Sequence, residues 1–99
     1  MSYFAYVKER HKQRNELYQK CLKASDEVLH AKRTGMVLFD SDTTLRYYRD
    51  FLIEGEYYRD HVDRMNWFEW IWYGDVVRKQ AKVLMGRSTE VRNYIITSK

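Results

Sequence analysis

The residues of this 99-residue chain whose types and spacing could do chemistry are few. Asp40 and Asp42 stand two apart, as metal-binding loops often place them, but an EF-hand starting at Asp40 needs glycine at its sixth position and glutamate at its twelfth. Here those positions hold Leu45 and Phe51. His11, His30 and His61 are far apart, and none pairs with the single cysteine at zinc-ligand spacing. Cys21 falls on an apolar helical stripe, which marks a packed thiol rather than a nucleophile. The four glycines are scattered, so no phosphate-cradling loop forms. No catalytic residue, metal ligand or cofactor site is assigned, and the expectation is a chain that is not an enzyme.

The stretch Val37–Leu45, VLFDSDTTL, resembles the first motif of haloacid-dehalogenase-like phosphatases. That resemblance implies Asp40 as nucleophile and Asp42 as acid/base. It covers nine residues, and Thr43 stands where the family usually has glycine. The family's parallel sheet and its downstream lysine and acidic pair have no counterpart here. Helix capping by the two aspartates explains the same residues with fewer parts.

Two binding surfaces compete. Lys8, Arg10, Lys12 and Arg14 form a basic cluster near Tyr3, Phe4 and Tyr6, a composition suited to nucleic-acid phosphates. On a helix, however, Lys8 and Lys12 share one side and Arg10 and Arg14 lie nearly opposite, which spreads the charge around the rod. The second surface is Trp67-Phe68-Glu69-Trp70-Ile71-Trp72-Tyr73, apolar on every side of almost two helical turns. Such a helix must be enclosed or covered by another molecule, and a bundle this small encloses only part of it. Trp67, Trp70 and Tyr73 share one row and are expected to meet a partner, flanked by Arg59 and Arg64. Phe68, Ile71 and Trp72 are expected to pack inward with Val76 and Val83. Trp, Tyr and Arg are the residues that dominate interface energetics.

The elements that must position these residues are helical, since proline is absent and apolar residues recur at three and four. A first helix is predicted from about Tyr3 to Arg33, capped by Ser2 and ended by Gly35. The interval Lys8–Glu16 lacks any hydrophobic residue and must face water or a polar partner. At 1.5 Å per residue this helix would be about 46 Å long. A compact chain of this size is roughly 34 Å across, so the helix is expected to overhang. A second helix is predicted from about Thr44 to Arg64, with Gly55 marking a kink. A third starts at Asn66 and ends at Gly86, followed by a segment open to either helix or strand. The fold class is therefore all-α, a small bundle of three to four helices with a long, projecting N-terminal helix. The alternative is α+β, with a short two-stranded pairing of 36–39 and 91–97.

One domain, 1–99, is all that this length supports. The net charge of +4 divides into +4 over residues 1–34, −3 over 35–65 and +3 over 66–99, so basic ends can neutralise an acidic middle. No apolar run is long enough to span a membrane, and no signal-peptide core opens the chain. A single cysteine points to a reducing, cytoplasmic setting. The expected role is a small interaction factor (an inhibitor, adaptor or assembly subunit) that binds a protein partner or itself as a homo-oligomer. Small helical chains of this profile occur among virus-encoded regulators of host proteins. The alternative is a nucleic-acid-binding helical module that uses the basic N-terminal helix.

Overall fold

The computed structural model describes residues 2–34 and 42–98, which form three helices. These are α1 (Tyr3–Arg33), α2 (Asp42–Asp63) and α3 (Trp67–Ser98). No strand occurs among the described residues. Residues 91–96 are helical, which removes one half of the α+β alternative; its other half, 36–39, lies outside the described residues. Gly35, Asp40 and Ser41 lie outside them too, so the capping roles expected there have no structural counterpart to compare.

Local chemistry explains the helix starts. The Ser2 hydroxyl accepts from the Ala5 N–H at 3.2 Å, satisfying one free donor of the first turn. Lys32 and Arg33 place positive charge at the C-terminal end of α1, where the helix dipole favours it. Arg64, Met65 and Asn66 separate α2 from α3, and Asn66 Oδ1 accepts from the Glu69 N–H at 2.9 Å. Gly86 does not end α3, which continues for twelve further residues. Glycine costs a helix interior about 1 kcal/mol relative to alanine, and tertiary packing of Val91 and Tyr94 outweighs that here.

α1 lies between the other two. It packs against α2 and α3, whereas α2 and α3 barely touch one another. Contacts from Tyr3–Phe68 at one end to Arg87–Asp26 near the other show that α1 and α3 run parallel. α2 runs against both, pairing Cys21 with Phe51 and Gln13 with His61. The bundle is elongated, 50 × 21 × 18 Å, and the 32 residues of α3 match the 31 of α1. α1 therefore does not overhang a compact body; its length is the length of the molecule.

The core is divided along that length. One half is apolar: Cys21, Val28 and Leu29 of α1 meet Phe51 of α2 and Val91 and Tyr94 of α3. The other half sets a buried polar network among the apolar side chains Val7, Met65 and Val77. Arg14 and Glu69 are its largest fully buried side chains, 0% and 1% exposed, joined at 2.5 Å, with Arg10 reaching the second Glu69 oxygen at 2.9 Å. Nearby, the Tyr58 hydroxyl donates to Gln80 at 3.0 Å, and Gln80 donates to Asn15 at 3.0 Å. The apolar-free interval of α1 thus finds its polar partner within its own chain. A repeat of seven leads from Val7 to Arg14, Cys21 and Val28, so Arg14 occupies a core position of α1.

Candidate interaction surface

The short connection between α2 and α3 brings the start of α3 beside the start of α1. Asn66 Nδ2 donates to the Tyr3 hydroxyl at 2.7 Å and ties the two ends together. The aromatic residues of both helices then meet edge to face. Tyr3 and Phe68 have centroids 5.1 Å apart, and Phe4 and Trp72 5.0 Å apart. Trp67 lies against Phe68 at 3.8 Å. These contacts leave much of the rings in water, Trp67 64% and Trp72 56% exposed, and Ile71 on the same turns of α3 is 67% exposed. A shallow depression between Phe4, Val7, Phe68 and Trp72 completes an apolar surface continuous across two helices.

This arrangement departs from the expected one. Trp67 faces outward as expected. Trp70 and Tyr73, in the same row, are only partly exposed. The Tyr73 ring stacks on His11 at 3.9 Å, and the Arg78 guanidinium lies 5.7 Å from the Trp70 ring centroid. Ile71, Trp72, Val76 and Val83 do not pack inward; each is at least 41% exposed, and Phe68 is 38% exposed. The reason is that α3 has apolar residues on more than one face. Glu69 and Gln80 lie on the buried face because their partners Arg14, Tyr58 and Asn15 wait there, which turns Trp72 and Val76 outward.

Arg59 and Arg64 do not join the rings. Arg59 lines a cleft of about 580 Å³ between α2 and α3, whose floor includes Cys21 and whose apolar walls include Leu52, Leu84 and Met85. Arg64 is exposed and pairs with Asp60 at 3.3 Å. The basic cluster is separated as well. Arg10 and Arg14 turn inward to Glu69, while Lys8 and Lys12 face water, Lys8 with its ammonium 5.7 Å from the Phe4 ring centroid. Two of the four cations are therefore engaged inside the bundle.

The ionisable groups of the polar half are shifted by their surroundings. Burial lowers the pKa of His61, and the Arg10 and Arg14 guanidiniums lower it further, against an opposing pull from Glu69. His11 is lowered by burial and by Arg14. Burial raises the Tyr58 hydroxyl to about 12. The Cys21 thiol rises to about 11, through burial and then the nearby Glu54 carboxylate. Among the described residues, no three His, Cys, Asp or Glu residues are grouped to hold a metal ion. No described helix is long and apolar enough to cross a membrane.

The exposure of Trp72 and the burial of Glu69 were missed from sequence. Phe4, which the sequence places both on the apolar stripe of α1 and beside the basic cluster, sets its ring against Trp72. The seven-residue register through Val7, Cys21 and Val28 was the available signal for the buried Arg14. No protein-family model, curated protein or solved structure matches this chain.

Proposed function

We propose that this chain is a small non-enzymatic interaction factor that binds a protein partner or a second copy of itself through the aromatic end of the bundle. One observation carries the reading: Tyr3 and Phe4 of α1 are braced against Phe68 and Trp72 of α3, yet Trp67, Ile71 and Trp72 remain more than half exposed. Scattered single apolar residues on a surface are ordinary, but a contiguous patch rich in tryptophan is the composition of a docking site. Bracing adds to this, because rings already held in place lose less freedom on binding. An inhibitor, adaptor or assembly subunit working in a reducing, cytoplasmic setting fits such a surface and the buried, unpaired Cys21.

The test is replacement of Trp67 and Trp72 together with alanine, followed by affinity capture from native extract with and without nuclease. A captured protein that survives nuclease and is lost in the double variant, with helicity retained, is the expected result. Capture that is unchanged by the double variant, or that nuclease abolishes, overturns the reading.

A further inference from the structure

α3 carries two stripes, and the chain buries only one; of the other, Phe68 and Trp72 touch α1 by their ring edges and stay largely in water. The first passes through Tyr73, Val77, Gln80, Arg87, Val91 and Tyr94, which stack on, bond to or pack against the rest of the bundle. The second passes through Phe68, Trp72, Val76 and Val83 to Gly86, at spacings that keep one helical face. Its side chains are 38–56% exposed. Gly86 is exposed too, and a Cβ added there would meet nothing within 4 Å. A glycine inside this helix weakens it and relieves no crowding within the chain. The space at Gly86 is open to a side chain from outside the chain.

Resting on the reading that the Trp72 end is a docking surface, we propose that the partner is a second copy of this chain, paired antiparallel through α3 about a two-fold axis beside Lys79. The apolar positions of the stripe are self-complementary under that operation, while Lys79, exposed on the same face, meets its own counterpart across the axis and must turn its ammonium toward the other copy's Asp75. Trp72 and Gly86 are each seven residues from Lys79, so the largest side chain of one copy lies over the smallest residue of the other, at both ends of the contact. Val76 and Val83, three and four residues from Lys79, face one another between these ends. Charge follows the same symmetry: Asp75 of each copy comes opposite Lys82 of the other and one turn from its Lys79. The Asp75–Arg78 pair within each chain is exposed, so it offers little resistance to this exchange. A closed two-fold contact uses the same patch on both copies, as isologous dimers require. From Phe68 to Glu90 the pairing runs about 33 Å, six turns of helix.

Sedimentation of the full chain over a concentration series should show a monomer–dimer equilibrium. Gly86→Leu fills the space that Trp72 needs and should weaken the dimer by about tenfold or more. Its monomer should melt no lower than the parent, because leucine is the better helix former. The size swap Trp72→Ala with Gly86→Trp should regain the pairing that each single change loses. Lys79→Cys should yield a disulfide-linked dimer on oxidation, since position 79 lies beside the axis and Cys21 is buried. A dimer indifferent to Gly86→Leu overturns the proposal, as does a parent monomeric at every concentration. In the latter case, nuclease-resistant capture that depends on Trp67 and Trp72 would leave the broader docking role standing.

Discussion

Arg14 and Glu69, 55 positions apart in the chain, meet at 2.5 Å with both side chains closed off from water. They join the middle of α1 to the first turn of α3 and so set the relative height of the two helices. Glu69 also holds Arg10, so one carboxylate serves two guanidiniums. Nε and Nη2 of Arg14 find no acceptor among the described residues, which makes this a costly way to fill a core.

Removal of one member should therefore be severe. Glu69→Ala strands a buried guanidinium and is expected to cost about 3–5 kcal/mol, whereas replacing both Arg14 and Glu69 with methionine should restore most or all of the loss. Urea unfolding monitored by circular dichroism measures both. A loss under about 1 kcal/mol for Glu69→Ala would show that the pair is hydrated in solution.

Acid should loosen the polar half first. His11 and His61 both have folded-state pKa values below the ordinary imidazole value, so the fold favours their neutral forms. Their contribution is fully present above the unfolded-state pKa, near 6.5, and is lost as pH falls through the lower folded-state values. His11 faces Arg14 and Tyr73; His61 faces Gln13, Arg10, Arg14 and Glu69. Melting temperatures should fall between about pH 7 and pH 5, and the slope should flatten in the double variant His11→Gln, His61→Gln. An equal slope in that variant would assign the acid sensitivity to other groups.

The Cys21 thiol should be slow to react. With its pKa raised to about 11 and its side chain 1% exposed, very little thiolate is present near neutral pH. Alkylation by iodoacetamide at pH 8 should proceed at least about a hundredfold more slowly in the folded protein than in urea. Comparable rates would mean that the cleft between α2 and α3 opens down to its floor.

Gly55 gives a test of opposite sign. α2 runs unbroken through it, and an added Cβ would approach only the Cys21 sulfur, at an ordinary 3.7 Å. Gly55→Ala is thus expected to raise stability by about 0.5–1 kcal/mol, read from the shift in the urea midpoint. A loss instead would show that α1 and α2 depend on a closer approach at this point.

Helix boundaries set by side-chain chemistry next to the backbone were legible: Ser2 and Asn66 each bond the third residue after them, as their types suggest. Tertiary choices were less so. Gly86 reads alike as a terminator or as a helix interior, and only the packing of Val91 and Tyr94 decides. Two apolar stripes on α3 compete for the core, and the winner depends on where Arg14 and Asn15 sit in another helix. The pattern of α3 alone points Trp72 inward and Tyr73 outward; the stacking partner His11, more than sixty residues away, reverses the latter. Arg59 and Arg64 were linked to the rings by composition, and composition carries no distance.

The lengthwise split of the core also sets where the molecule yields. Val28 and Val91 pack among apolar side chains in one half, while the ring-bearing half combines Val7 and Val77 with buried polar bonds that leave some Arg14 donors unmet. Amide protons of residues 3–14 and 67–76 should accordingly exchange earlier than those of 21–29 and 88–94. Whatever docks at the tip would meet rings already seated on one another, and would shelter the charged bonds behind them from solvent.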